Sequence, residues 1–156
     1  MGQINKKIIH CNNSVSIFTD GGARGNPGHA AIGVVFYDKP GNVTFSFGKY
    51  IGIATNNAAE YLAIYDALKA AEEKKIKNIL LYTDSSLAFN QLNGNWKIKN
   101  EELKKLIEDI SKIVLSFESF KIFYVPREEN KEADKLVNKA LNDYLKRNKN
   151  IQDLPL

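Results

Sequence analysis

Four acidic residues stand where strands end or helices begin in the predicted pattern of this chain. Asp20 follows the strand-like run SIFT and Asp84 follows NILLYT, whereas Glu60 and Asp134 fall in the first turns of two predicted helices. Each residue alone has an ordinary explanation, because Asp forms turns after strands and acids favour helix N-termini. Together they indicate a site, since ligands of open sheets gather at the carboxyl ends of strands.

The two strand-ending acids would lie close together if their strands were neighbours. Adjacent strands are about 5 Å apart, and two carboxylates at that distance repel unless a proton or a cation lies between them. Clusters of oxygen ligands suit Mg²⁺ or Mn²⁺ better than Zn²⁺. Neither His10 nor His29 falls in a metal-ligand pattern, so the sequence predicts a site for a hard divalent cation.

Apolar periodicity predicts the elements that must position these acids. It predicts strands over residues 14–19, 30–38, 43–51, 78–83 and 120–125, and helices over 55–75, 85–92, 101–115 and 131–145. Thr55 and Asn130 are candidate helix caps, and a glycine-rich loop is expected after Asp20. The run NILLYT is typical of a strand that is buried on both faces. The element order predicts an α/β fold whose mixed sheet has three antiparallel strands, then parallel crossovers, with helices on its faces.

The composition is that of one globular domain of 156 residues with a net charge of +4. We expect a polar lead-in over 1–13, a folded domain that carries the four acids over 14–148 and a short tail over 149–156. A single cysteine excludes an intrachain disulfide, and no apolar run is long enough to span a membrane. The N-terminus does not resemble a secretory signal, so we expect a cytoplasmic protein.

Four motifs in succession resemble those of type 1 ribonuclease H, namely TDGGARGNPG, TNNAAEYLAI, YTDSS and VPREENKEADKL. The resemblance covers 15–144, almost the whole chain, and implies a ribonuclease H-like fold with a five-stranded mixed sheet. It also implies that the chain hydrolyses the RNA strand of RNA–DNA hybrids and leaves 5′-phosphate and 3′-hydroxyl ends. Asp20, Glu60, Asp84 and Asp134 match the family's metal-binding acids, which implies two Mg²⁺ ions, or Mn²⁺, in each site.

The same resemblance suggests which residues contact the nucleic acid. The glycine-rich stretch would let the backbone approach the RNA, and two asparagines of the second motif would reach into the minor groove. The residues that we expect to bind nucleic acid are Gly21, Gly22, Arg24, Asn26, Thr55, Asn56, Asn57, Ser85, Trp96, Lys97 and Arg127. Asn26 and Thr55 match positions that hold a DNA phosphate. Ser85 either supports the site through hydrogen bonds or, in a second interpretation, caps a helix.

Two further positions leave alternatives open. Trp96 either stacks on a DNA sugar, with Lys97 on a phosphate, or closes the core at a helix end. Arg127 stands nearest to the place where many family members carry a histidine. An arginine can bind phosphate but cannot transfer a proton at neutral pH. The resemblance therefore assigns no proton-transferring residue to this position.

Two other functions compete with hybrid hydrolysis. The chain could be a non-catalytic module that binds hybrids or double-stranded RNA, although four intact acids argue against it. It could also keep the fold and act on another substrate, as resolvase- or integrase-like relatives do. We expect a monomer whose partner is an RNA–DNA hybrid, with double-stranded RNA as a second candidate and no association with membranes.

Overall fold

The structure, a computed structural model, describes residues 13–152, so most of the predicted lead-in lies outside the described residues. The strands are β1 (Val15–Gly25), β2 (Gly28–Lys39), β3 (Asn42–Ala54), β4 (Asn78–Thr83) and β5 (Ser119–Tyr124). The helices are α1 (Asn56–Glu73), α2 (Ser86–Leu92), α3 (Glu101–Val114) and α4 (Lys131–Gln152), with a short 3-10 turn at Arg127–Glu129. Within residues 13–152, no helix is both long and apolar enough to cross a membrane.

The five strands form one mixed sheet in the order β3-β2-β1-β4-β5. β1, β2 and β3 form an antiparallel meander, whereas β4 pairs parallel with β1 and β5 pairs parallel with β4. The predicted architecture is therefore confirmed. The first and fourth strands are neighbours, which was the condition for a shared site.

The glycine-rich stretch after Asp20 is part of a strand, so the predicted loop there is wrong. Gly21 pairs with Ile32 and Gly22 with Ala31, which continues the antiparallel ladder between β1 and β2 as far as Gly25. The connection between the two strands consists of residues 26 and 27. Local composition misled the prediction because glycine favours turns, whereas here the partner strand keeps these residues extended.

Helices cover the two faces of the sheet unequally. α1 and α3 enclose the main apolar core, to which β1, β2 and β4 contribute Ile17, Val34, Phe36, Ile79 and Leu81. α4 lies against β1, β2 and β3, where its Val137 and Leu141 pack with Ala31. This second, smaller cluster sits beside the glycine-rich part of the sheet.

The burial predicted for β4 and the predicted end of the last helix also need correction. β4 alternates between buried and half-buried residues instead of being buried on both faces, because α4 packs on the other half of the sheet. α4 continues to Gln152, past the end that was predicted at residue 145. The apolar periodicity fades near Tyr144, but nothing in the later sequence breaks a helix.

Candidate active site

The two strand-ending acids lie side by side in the middle of the sheet. The parallel ladder between β1 and β4 ends with the pair Thr19–Thr83, and Asp20 and Asp84 are the next residues along each strand. β1 then continues alone against β2, where Asp20 pairs with Gly33. Asp20 is therefore a mid-strand residue at the point where the neighbouring strand stops, and not the end of a strand as predicted.

α1 brings Glu60 to the same place. The helix begins after Thr55, whose Oγ1 accepts a hydrogen bond from the Ala58 backbone N–H at 3.1 Å. One turn further, Glu60 Oε1 accepts the backbone N–H of Gly21 at 2.9 Å. A Cβ on Gly21 would collide with the backbone carbonyl of Ala59, so only glycine allows α1 this close to β1.

The carboxylates form a compact cluster. One oxygen atom from each of Asp20, Glu60 and Asp84 lies within 4.8 Å of the others. Asp134, in the first turn of α4, adjoins this cluster beside Asp20 and lines the same cleft. All four predicted acids therefore lie in one cleft.

The cluster is electrostatically unfavourable while its members are all ionised. Burial, followed by the charges of Asp84 and Asp134, raises the pKa of Asp20 to about 8. Burial also raises the pKa of Glu60 well above its usual value, and the charges of Asp20 and Asp84 add to the effect. Such a cluster must bind protons or cations at neutral pH, and its donors, all oxygens, fit a hard divalent cation.

Asn130 is a residue of the site that the sequence analysis assigned another role. Its side chain is buried and its Nδ2 donates to the Thr19 carbonyl at 2.8 Å and to Asp84 Oδ2 at 3.0 Å. Its Oδ1 makes no hydrogen bond with the described residues, so the predicted side-chain cap of α4 is wrong. A polar residue directly before an acid-bearing helix was the available signal, but its partners are distant in sequence.

The cluster lies in a cleft of about 520 Å³. The predicted site residues that line this cleft are Asp20, Gly21, Gly22, Arg24, Asn56, Asn57, Glu60, Asp84, Ser85, Arg127 and Asp134. Asn138, which the sequence analysis missed, also lines it and accepts a hydrogen bond from Arg24 Nη2 at 3.4 Å. Ser85 caps α2 through its Oγ, which accepts from the Ala88 N–H, in agreement with its second interpretation.

Four of the predicted site residues do not line the cleft, namely Asn26, Thr55, Trp96 and Lys97. Asn26 Oδ1 accepts the backbone N–H of Asn56 at 3.0 Å, and Asn56 Oδ1 in turn accepts the N–H of Ala23 at 2.9 Å. These two bonds tie the β1–β2 hairpin to the start of α1. Thr55 uses its hydroxyl oxygen as the cap of that helix.

Trp96 and Lys97 lie on the connection between α2 and α3. The indole of Trp96 is 49% exposed and Lys97 is exposed as well. Of the two interpretations of Trp96, this exposure contradicts the one in which it closes the core. It is compatible with a contact to nucleic acid.

Comparisons with known proteins agree with this geometry. Residues 18–140 match the family model described as reverse transcriptase-like. Ribonuclease HI of Halobacterium salinarum is 40% identical over 129 residues, which are 83% of this chain and 65% of that protein. The bifunctional protein Rv2228c of Mycobacterium tuberculosis is 36% identical over 82% of this chain. Ribonuclease H of Clostridium botulinum is 33% identical over 150 residues, with 83% of this chain and 97% of that protein covered.

Solved structures extend the likeness to three dimensions. The crystal structure of RNase H1 from Halobacterium salinarum superimposes with a TM-score of 0.81 and 39% identity, covering 83% of this chain and 98% of that one. LC11-RNase H1, whose structure contains an RNA/DNA hybrid, has a TM-score of 0.80 and 39% identity, covering 84% of this chain and 99% of that one.

The chain is shorter than some of these relatives. It spans about two thirds of the Halobacterium protein, at 65%, and 35% of the mycobacterial one. The family model, the relatives of similar length and the four clustered acids nevertheless agree over most of the chain. The chain belongs to the type 1 ribonuclease H family.

Proposed function

We propose that the chain is a metal-dependent endoribonuclease that hydrolyses the RNA strand of RNA–DNA hybrids and leaves 5′-phosphate and 3′-hydroxyl ends. The observation that carries this proposal is the meeting of Asp20, Glu60 and Asp84 within 4.8 Å, with Asp134 beside them, in an open cleft. Relatives named ribonuclease H, and a similar structure that contains an RNA/DNA hybrid, support the choice of substrate.

The four acids would hold two Mg²⁺ ions, or Mn²⁺. The raised pKa values of Asp20 and Glu60 support this assignment, because bound cations would neutralise the repulsion that raises them. When bound, such ions neutralise charge on the scissile phosphate and lower the pKa of a water molecule. No histidine or cysteine among the lining residues offers an alternative nucleophile or base.

Residues of the chain fix the orientation of these acids. The Gly21 N–H holds Glu60 Oε1, and Asn130 Nδ2 holds Asp84 Oδ2. Each bond leaves the other carboxylate oxygen for a cation. Oriented ligands of this kind reduce the rearrangement that metal binding would otherwise require.

Donor groups on the walls of the cleft would bind the substrate. Arg24 and Arg127 line it and offer guanidinium donors to phosphate oxygens. Because Asn56 Oδ1 accepts an internal hydrogen bond, its Nδ2 is the half of the amide that can donate to a nucleic acid. Arg127 cannot transfer protons at neutral pH, so we expect substrate binding to be its only role.

We further propose that the chain acts as a monomer, because one chain supplies all four acids and the donors around them. Double-stranded RNA is a second candidate substrate. Arginine contacts to phosphate do not distinguish double-stranded RNA from a hybrid. Contacts to the 2′-hydroxyls and the shape of the duplex grooves do distinguish them.

A cleavage assay tests the proposal. End-labelled RNA is presented as an RNA–DNA hybrid, as double-stranded RNA and as a single strand, first with Mg²⁺ and then with EDTA. We expect metal-dependent cutting of the RNA in the hybrid, which Asp84→Asn reduces by at least about 10²-fold because a metal ligand is lost.

Glu118→Gln is the matched control. This exposed carboxylate precedes β5 at the opposite end of the sheet, where it pairs with Lys77. We expect its activity to equal that of the unmodified chain. Folded protein that binds the hybrid but does not cut it with either Mg²⁺ or Mn²⁺ would favour the non-catalytic binding module.

A further inference from the structure

Gln91, in the last turn of α2, is a buried polar residue whose side chain is bonded at both ends. Its Oε1 accepts a hydrogen bond from the hydroxyl of Tyr61, and its Nε2 donates to the backbone carbonyl of Lys97 at 3.2 Å. It is 9% exposed. An apolar residue would fill this position at lower cost, because a buried amide is tolerated only when its groups are satisfied.

The carbonyl at one end of Gln91 belongs to the exposed segment 93–99 between α2 and α3, which carries Trp96 and Lys97. The first part of this segment is bonded to α2, since the N–H groups of residues 95 and 96 donate to the Asn90 carbonyl. For residues 97–99, the only hydrogen bond among the described residues is the one that the Lys97 carbonyl accepts from Gln91. Ile98 adds an apolar contact with the main core.

The hydroxyl at the other end of Gln91 belongs to the helix that carries a metal-binding acid. Tyr61 is fully buried in α1, directly after Glu60, and burial raises the pKa of its hydroxyl. A single amide therefore connects the segment 93–99 to the helix of the carboxylate cluster. Buried polar bridges of this kind fix a relative position that apolar packing alone would leave less defined.

We propose that Gln91 is a positioning residue for substrate binding. It holds the Trp96–Lys97 surface at a fixed distance from the carboxylate cluster, so that one hybrid contacts both. This inference rests on the proposed function, because it takes the hybrid as the substrate. Gln91 touches neither the cleft nor the acids, so its loss should weaken binding without slowing the chemical step.

Gln91→Met tests the proposal, because methionine has a similar volume and no group that could bond to either partner. We expect Kd for the hybrid, measured in the Asp84→Asn background, to rise about 5–10-fold, the equivalent of one lost hydrogen bond. In the active enzyme KM should rise by the same factor, with kcat within about twofold. If Gln91→Met does not fold, Gln91→Asn replaces it, since the shorter amide cannot reach both partners.

Ile110→Val controls for a general loss of stability. Ile110 is buried in α3, away from the cleft, and losing one methylene there destabilises the fold without removing the hydrogen bond that holds the segment 93–99. We expect no change in its Kd. A rise in Kd equal to that of Gln91→Met would overturn the proposal.

A second background tests whether the substitution of Gln91 changes Kd through Trp96 and Lys97 or by another route. In a chain that also carries Trp96→Ala and Lys97→Gln, the substitution of Gln91 should no longer change Kd, because the contacts through which it acts are absent. If Gln91→Met weakens binding equally in both backgrounds, Gln91 does not act through this segment.

Amide hydrogen exchange of the free protein tests the bridge without any substrate. We expect Gln91→Met to accelerate exchange at residues 95 and 96, whose N–H groups donate to the Asn90 carbonyl, by at least about tenfold and to leave β1 and β4 unchanged. Unchanged exchange at these two residues would overturn the positioning role, whatever the substrate. If instead the unmodified chain neither binds nor cuts hybrids, the proposed function fails, and with it the consequence for binding.

Discussion

At the scale of single residues, Asp20 is the most constrained of the acids. It is 8% exposed, and the charges of Asp84 and Asp134 act on it. The Gly21 backbone N–H, and no positively charged side chain, opposes the resulting rise in its pKa. Its raised pKa, about 8, shows that the folded chain without a cation holds a proton there more tightly than the unfolded chain. The site is therefore organised for cation binding at the expense of stability.

This arrangement predicts the pH dependence of stability in EDTA. An acid whose folded pKa is raised contributes stability that is fully present below its unfolded pKa, here 3.8, and is lost as the pH rises towards 8. Asp20→Asn cannot ionise. The Tm of Asp20→Asn minus the Tm of the unmodified chain should therefore increase by at least about 3 °C between pH 5 and pH 8, as measured by calorimetry.

Glu73→Gln, an exposed acid at the end of α1, is the control for this experiment. Its Tm should follow that of the unmodified chain at every pH. A Tm difference between Asp20→Asn and the unmodified chain that does not change with pH would contradict the electrostatic explanation.

At the scale of elements, the site depends on how closely α1 approaches β1. Gly21 stands at the crossing, where its N–H binds Glu60 and its missing side chain leaves room for the backbone of Ala59. The hydrogen bonds of Asn26 and Asn56 tie the same helix to the β1–β2 hairpin. The glycine is thus explained by packing inside the protein, whereas the sequence analysis explained it by contact with nucleic acid.

Two neighbouring glycines provide a matched pair for testing this point. Gly21→Ala places a Cβ against backbone atoms that cannot move independently of the helix, so we expect a loss of about 1–3 kcal/mol in stability. In Gly22→Ala the new Cβ would lie 3.6 Å from Val137 Cγ1, an ordinary contact. Denaturant unfolding should therefore show Gly22→Ala within about 0.5 kcal/mol of the unmodified chain. Equal stability of the two variants would refute the packing explanation.

At the scale of the whole molecule, the carboxylate cluster exists only in the folded chain. Its members come from β1, α1, α4 and the end of β4, separated by up to 114 residues from Asp20 to Asp134. A cation that needs all of them binds the folded state and not the unfolded one. Binding must then raise the free energy of unfolding.

Addition of Mg²⁺ to the metal-free protein should therefore raise Tm. At about a hundred times the Kd the gain is about 2.7 kcal/mol, which corresponds to roughly 5–10 °C for a chain of this size. Asp84→Asn should lose most of this shift, because it removes one of the three clustered ligands. KCl at the same ionic strength controls for screening, and an equal shift in both proteins with Mg²⁺ would place the binding site elsewhere.

The sequence by itself determined which acids belong to the carboxylate cluster and the type of every strand and main helix. The acids, their order and the local apolar periods are properties of short segments. They can be read from the sequence because they do not depend on contacts between distant segments. β4 was predicted with its observed limits, over residues 78–83. The sequence predicted the closeness of Asp20 and Asp84 only on the condition that their strands are neighbours, and the observed strand order meets that condition.

Only the tertiary structure decided which polar groups line the cleft and which hold the protein together. Asn130, Asn56 and Gln91 bond to partners 30 or more residues away, and no local pattern contains such partners. The glycine-rich stretch became a strand for the same reason, since a ladder with β2 outweighs local turn propensity. Local sequence fixes periods and residue types, whereas hydrogen-bond partners and close approaches depend on the packing of distant segments.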